Sequence, residues 1–153
     1  MAQVLVVADD LTGANATGVL LKKNGFTTYT VLDPAHGADP ELAGCDCLVI
    51  PTESRAIDPR EAYDRVKNAL AVTRDDGVKL YAKRIDSTLR GNLGSETDAF
   101  LDLLGPDYIA VCVPCFPSSG RVLVGGYLLV NGVPLQKTEV AKAPKNPLTP
   151  SSA

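Results

Sequence analysis

Short apolar runs alternate along the chain with stretches whose apolar residues recur at helical spacing. VLVVA (Val4 to Ala8) is a continuous apolar run of strand length. TTYTVL (Thr27 to Leu32) is a second strand candidate. AGCDCLVIPTESR contains a third, centred on Leu48 to Ile50. VKLYAK (Val78 to Lys83) and YIAVCV (Tyr108 to Val113) read as a fourth and a fifth. Between them the punctuation is that of helices. Thr12 or Asp10 suits the cap of a helix through GANATGVLLKKNG, with Lys22 and Lys23 in its last turn and Gly25 just past its end. In DPREAYDRVKNALAVTRDDG, Asp58 caps, Pro59 takes the first helical position and Glu61 completes a capping box. Ala62, Val66, Ala69 and Leu70 form the apolar face of that helix. SETDAFLDLLGP is a short helix with acids in its first turn and a Gly-Pro stop.

Strands alternating with helices predict an α/β fold, an open and mainly parallel sheet with helices on both faces, in the Rossmann-like three-layer manner. Right-handed crossovers are then close to obligatory. After residue 120 the pattern changes. RVLVGGYLLVNGVPLQ predicts short strands around an Asn-Gly turn, a small β-hairpin extension near the C-terminus. The α/β domain is expected over residues 1–140. Residues 141–153 are rich in proline and serine and are expected to form an extended tail or linker.

At 153 residues the chain is long enough for one domain with a real core. A net charge of -3 offers no bulk attraction to nucleic acid or anionic lipid, so any anion site must be local. No apolar stretch approaches the ~20 residues that span a bilayer. The first residues read as a strand rather than a signal peptide, and a cytoplasmic setting is expected. The cysteines fall in two close pairs, Cys45 with Cys47 and Cys112 with Cys115. The CVPC spacing lies in an apolar run without a second such pair, so free thiols and no metal site are expected.

The polar residues fall where the strands end. Asp9 and Asp10 follow the first strand, Thr52 to Arg55 the third, Arg84 to Arg90 the fourth, and Pro114 to Arg121 the fifth. In a parallel sheet all carboxyl ends share one edge, and open α/β sheets bind ligands there. Arg55 and Arg90 suit a carboxylate or phosphate, through two bonds in a planar fork. Asp10 and Asp86 accept from ligand hydroxyls, and Ser87, Thr88 and the backbone near Gly91 serve either partner. Together they suit a small hydroxy acid better than a nucleotide. Each also has a plainer reading. Asp9 and Asp10 suit simple capping, Arg55 a surface position, and Lys83 a stem laid across the sheet edge. Arg84 suits solvent better than ligand. The shared edge is what favours a site.

GANATG after the first strand invites a dinucleotide reading. Asn15 stands where the central glycine belongs, however, and two aspartates precede the helix. There is no P-loop motif.

ADDLTGA (Ala8 to Ala14), TESR (Thr52 to Arg55), KRIDSTLRGNLGSE (Lys83 to Glu96) and PCFPSSGR…GGYLLVNGVPLQKTE, in that order, resemble the N-terminal domain of the four-carbon acid sugar kinase family. The resemblance covers nearly the whole chain. It implies the sugar-acid-binding half of an ATP-dependent kinase acting on threonate- or erythronate-type acids, with ATP and Mg carried by an absent second domain. Carried over by motif, it places the substrate on Asp10, Arg55, Asp86, Ser87, Thr88, Leu89 and Arg90; Asp9 and Lys83 at the same sheet edge are expected to bind it too, with Asp10 or Asp86 orienting or deprotonating the acceptor hydroxyl. It implies no cofactor on this chain alone, no turnover without a nucleotide-binding domain or second chain, and room for a homodimer. Ala143 departs from the acidic residue expected at that position in the family. The alternative is a non-catalytic domain for small-acid binding or interaction.

Overall fold

The computed structural model describes residues 2–42 and 44–142. Four parallel strands, β1 (Val4–Ala8), β2 (Thr28–Thr30), β3 (Cys47–Pro51) and β4 (Leu80–Arg84), form one sheet in the order β2-β3-β1-β4. The order follows from the connections. After β2 the chain returns through β3 to the side of β1, then crosses over α2 (Pro59–Thr73) to β4 on the other side. β1 therefore sits between β3 and β4, and the loops after those three strands emerge side by side.

Strand periodicity divides β1 between two cores. Leu5 and Val7 pack with Leu48 and Ile50 of β3 under Val66, Ala69 and Leu70 of α2 and Ala99 and Phe100 of α3 (Leu93–Leu104). Val6 and Ala8 pack with Val49 and with Ala14 of α1 (Leu11–Lys23) on the opposite face. Helices thus cover both faces, as the continuous apolar runs require. Between β2 and β3 the chain makes two short 3-10 turns, Pro34–Ala38 and Pro40–Leu42, which the apolar pattern does not reveal.

The helix starts are set by side chains. Asp10 caps α1, its Oδ1 accepting from the Gly13 amide at 2.7 Å, which decides between the two cap candidates. Asp58 caps α2 through the Arg60 amide at 2.9 Å. Glu61 does not complete a capping box: it accepts from Arg65 Nη2, one turn on, at 2.7 Å. The third helix begins at Leu93.

Near the C-terminus, β5 (Arg121–Val124), β6 (Tyr127–Val130) and β7 (Val133–Pro134) form a separate antiparallel sheet. Both of its turns, Gly125-Gly126 and Asn131-Gly132, have two residues at positive φ, the geometry that matches strand twist. The predicted hairpin is thus a three-stranded meander. The expected fifth strand of the main sheet is a correction. Tyr108–Val113 forms no strand, and among the described residues Ile109 to Cys115 make no backbone hydrogen bond. An apolar run becomes a strand only where an edge pairs with it and layers cover it, and its side chains here lie open to solvent. The expected tail from residue 141 lies, from 143 on, outside the described residues, as does Ala143. Among the described residues, no helix is long and apolar enough to cross a membrane.

Candidate functional site

The loops after β3, β1 and β4 interlock at the carboxyl edge of the sheet. Asp9 is 1% exposed, and its carboxylate receives a two-pronged bond from Arg55, Nε to Oδ2 at 2.7 Å and Nη2 to Oδ1 at 3.0 Å. The third nitrogen, Nη1, lies 2.6 Å from Asp10 Oδ2. The main chain repeats the link, with the Ser54 amide donating to the Asp9 carbonyl at 3.0 Å. Burial alone would push the Arg55 guanidinium down. The hydrogen bond that Asp9 accepts and the charges of Asp9, Asp10 and Asp86 outweigh it and hold Arg55 above its ordinary range.

Thr52 and Ser54, both buried, share a hydroxyl hydrogen bond at 2.7 Å beneath this link. Glu53 between them sits at φ 48, in the left-handed region that non-glycine residues rarely adopt. Its carboxylate thereby reaches across to accept from the Leu11 amide at 2.7 Å. The N-terminus of α1 is therefore occupied by two carboxylates, those of Asp10 and Glu53. This is the place where a parallel α/β sheet ordinarily receives a phosphate, and these residues do not fit one.

The loop after β4 is closed on itself. Arg90 donates through Nε to Asp86 Oδ2 at 2.6 Å and through Nη2 to Oδ1 at 3.1 Å, and the Thr88 hydroxyl donates to the same Oδ2. Burial would raise the Asp86 carboxyl. The bonds from Arg90 and Thr88, with the charges of Arg90 and Arg55, hold it well below the usual carboxylate range. Leu89 turns at φ 61 to allow this closure. Gly91 follows at φ 111, where an added Cβ would stand 3.4 Å from both Asp9 Oδ2 and Arg55 Cγ, so the two loops are in close contact. Asn92 fastens them further, its Nδ2 donating to the carbonyls of Ser54 at 2.8 Å and Ile57 at 3.0 Å.

Asp9, Asp10, Arg55, Asp86, Thr88 and Arg90 thus form one cluster. Arg55 is engaged as a post between two loops. Arg90 keeps its Nη1 edge without a partner among the described residues, and Ser87 keeps its hydroxyl. Lys83 points to the α2 and α3 face, where Nζ lies 2.5 Å from Oε2 of Glu96, a residue with no exposed surface. Charge rather than well-aligned hydrogen bonding holds that pair, because neither Glu96 oxygen has a hydrogen-bond partner among the described residues. Lys83 therefore braces α3 against β4 from below the cluster.

By sequence Glu96 is one more acid in a first helical turn, Asn92 does not stand out and Arg84 suits solvent. The structure instead lays the half-buried Arg84 against α1, its Cζ 3.4 Å from where a Cβ on Gly13 would stand. Its guanidinium has no ion pair or hydrogen bond among the described residues. That matters for the charge balance. Asp9, Asp10 and Asp86 against Arg55 and Arg90 leave one negative charge, and the Arg84 guanidinium stands near Asp10, both lying within 3.4 Å of where a Cβ on Gly13 would be.

Fold and site together define a class: an open parallel α/β domain whose carboxyl edge carries paired aspartates and arginines, with two arginine edges and a hydroxyl left open. The chain belongs to the family of sugar-binding N-terminal domains, whose model matches residues 4–152. It is 54% identical over 150 residues to a D-erythronate kinase of Heliobacterium modesticaldum, across 97% of this chain and 34% of that protein. It is 40% identical over 150 residues to a D-threonate kinase of Salmonella typhimurium, with the same two shares. A solved domain of unknown function from Bordetella bronchiseptica, a domain-swapped dimer with bound citrate, superposes with a TM-score of 0.90 at 35% identity. That match covers 97% of this chain and 38% of the other. The chain therefore spans about a third of the length of the curated relatives it matches.

Proposed function

We propose that this chain is the acid-gripping part of an ATP-dependent kinase for four-carbon sugar acids of the erythronate or threonate type. The single observation that carries the reading is the cluster at the carboxyl edge of β3, β1 and β4. There, guanidinium edges of Arg84 and Arg90 without partners among the described residues share one sheet edge with Ser87 and the partly exposed Asp10 carboxylate. A sugar acid presents a carboxylate and adjacent hydroxyls, and this set offers donors for the first and both donors and acceptors for the second. The names of the relatives and the citrate, itself a hydroxy acid, in the Bordetella structure support it.

In this reading Arg90 and Ser87 touch the acid directly, Arg84 adds charge, and Asp9, Arg55 and Thr88 hold the loops in place. Asp10 accepts from the acceptor hydroxyl. Asp86, held strongly ionised, is too weak a base to remove a proton at neutral pH and serves to aim Arg90. Phosphoryl transfer rests on positioning and on neutralising phosphate charge. ATP and Mg would be supplied by another domain or chain, because the α1 N-terminus holds carboxylates where a phosphate would bind. The swapped Bordetella dimers favour assembly of the complete protein as a homodimer.

Titration calorimetry of the chain with D-erythronate and D-threonate tests this. At least one acid is expected to bind. Arg90→Ala and Arg84→Ala are each expected to weaken it by ~10-fold or more, the loss of one charge-assisted contact. With Mg-ATP and either acid, the chain alone is expected to show no turnover. Absence of binding by both acids would overturn the reading.

A further inference from the structure

We propose that Ile109–Val113 is the surface through which this chain meets the polypeptide that completes its fold, an α/β unit bringing helical layers to both faces of that segment. The proposal rests on reading the chain as the acid-binding third of a longer kinase, and it names where the remainder sits. Ile109, Val111 and Val113 are 86%, 78% and 69% exposed, and Ala110 and Cys112 between them are exposed as well. Both faces of an uncharged, β-favouring run are thus open to water.

Its other half-partner is already present. Among the described residues β4 ends the sheet and pairs only with β1. The segment leaves one end of that open edge and returns at the other. Tyr108 packs edge-on against Tyr81 near the start of β4, with ring centroids 5.9 Å apart. Phe116 lines a cavity of about 560 Å³ with Arg84 at the end of β4 and with Asn15 and Leu20 of α1. The connection contains slack: eight extended residue steps reach up to ~27 Å, whereas the three strand steps from Tyr81 to Arg84 cover ~10 Å. The two ends of the run thus flank the edge it would join, in the order a parallel neighbour needs, and the residues between them make no ladder with it.

What it lacks is cover. A second copy of this chain offers a strand edge, but its helices α1, α2 and α3 are already packed over its own sheet. The relatives, of which this chain spans about a third, possess the extra length. A complement with helices on both faces would seat Ile109–Val113 on β4 as the fifth strand of the sheet. It would also hold the following Pro114–Arg121 segment at the edge that carries Arg84 and Arg90.

The test compares the chain alone with a fusion in which it replaces the matched first third of the Heliobacterium D-erythronate kinase. Amides of residues 110–113 are expected to exchange freely in the chain alone and at least ~100-fold more slowly in the fusion. The double change Ile109→Asp with Val111→Asp is expected to leave the thermal midpoint of the chain alone within ~1 °C. In the fusion it should lower that midpoint by more than ~5 °C, because two carboxylates are then buried without partners. If the fusion does not fold, the same substitutions at the aligned positions of the intact Heliobacterium kinase give the second reading. Equal insensitivity in both settings overturns the proposal. So does protection of these amides in the chain alone: if independent of concentration it shows the run closing on its own edge, and if rising with concentration it shows a second copy. Acid binding by the chain is read separately by calorimetry. Loss of the interface effect with acid binding intact therefore rejects only the interface, and the converse rejects only the ligand.

Discussion

Arg55→Ala is expected to lower the stability of the fold by about 3–5 kcal/mol, read from urea unfolding at neutral pH. The magnitude follows from what the change leaves behind. Asp9 is almost entirely buried at the end of β1, and both of its carboxylate oxygens take their bonds from Arg55. Truncating the arginine strands that charge in the interior and frees Asp10 from its 2.6 Å partner. The Arg55 side chain is only 18% exposed, so solvent has little means of screening the loss. Removing both partners removes the stranded charge. Asp9→Ala with Arg55→Ala should therefore be less destabilised than the two single changes added together, by at least ~1 kcal/mol. Arg55→Lys keeps the charge but not the planar fork and should recover only part of the loss. An Arg55→Ala protein within ~1 kcal/mol of the parent would show that the two loops are joined by something other than this guanidinium.

That pairing explains why the fold was more legible than the site. Continuous apolar runs and helix punctuation identify β1, β3, β4, α1 and α2, because strand burial and capping are local consequences of composition. Asp10 shows the limit. Its role as a cap is visible from its position ahead of an apolar helix, whereas its ion pair with a residue forty-five places on depends on strand order. The sheet edge alone puts Asp9, Asp10, Arg55, Asp86 and Arg90 at one rim, since parallel strands leave them nowhere else. It did not reveal that Arg55 faces inward to two aspartates while Arg90 keeps an edge open, because a fork that suits a ligand carboxylate suits a neighbouring aspartate equally. Glu96 was invisible for a related reason. An acid in a first helical turn is normally solvated, and only the register of β4, which aims Lys83 at α3, buries this one.

The fifth-strand expectation failed on a different ground. Periodicity identifies residues that need cover, and YIAVCV has that need as plainly as VLVVA. Whether cover exists is a property of the rest of the polypeptide. Tyr108–Val113 therefore carries the sequence signature of a strand without its ladder.

The pH dependence of stability should identify Asp86 as the second anchor. A carboxyl whose folded value lies below its unfolded value, ordinarily about 3.9, contributes stability that is fully present above that value. The contribution is lost progressively as the pH falls from the unfolded value toward the depressed folded one. Asp86 is such a group, held down by Arg90 and Thr88 against the opposing effect of burial. Asp86→Asn keeps the shape but loses the charge that Arg90 meets at 2.6 Å. It is expected to cost about 2 kcal/mol at pH 7, the lower end for a broken pair because the Arg90 side chain is one-third exposed and partly screened. As the pH falls from 5 to 2, the parent should lose much of this advantage and the two unfolding curves should draw together, since over that interval the unfolded carboxyl takes up a proton while the folded one, held down by Arg90 and Thr88, largely keeps its charge. A gap that stays constant over that interval would mean that Asp86 acts by shape alone. The same substitution releases Arg90 from its fork, so acid binding should weaken at pH 7 although Asp86 itself need not touch the ligand.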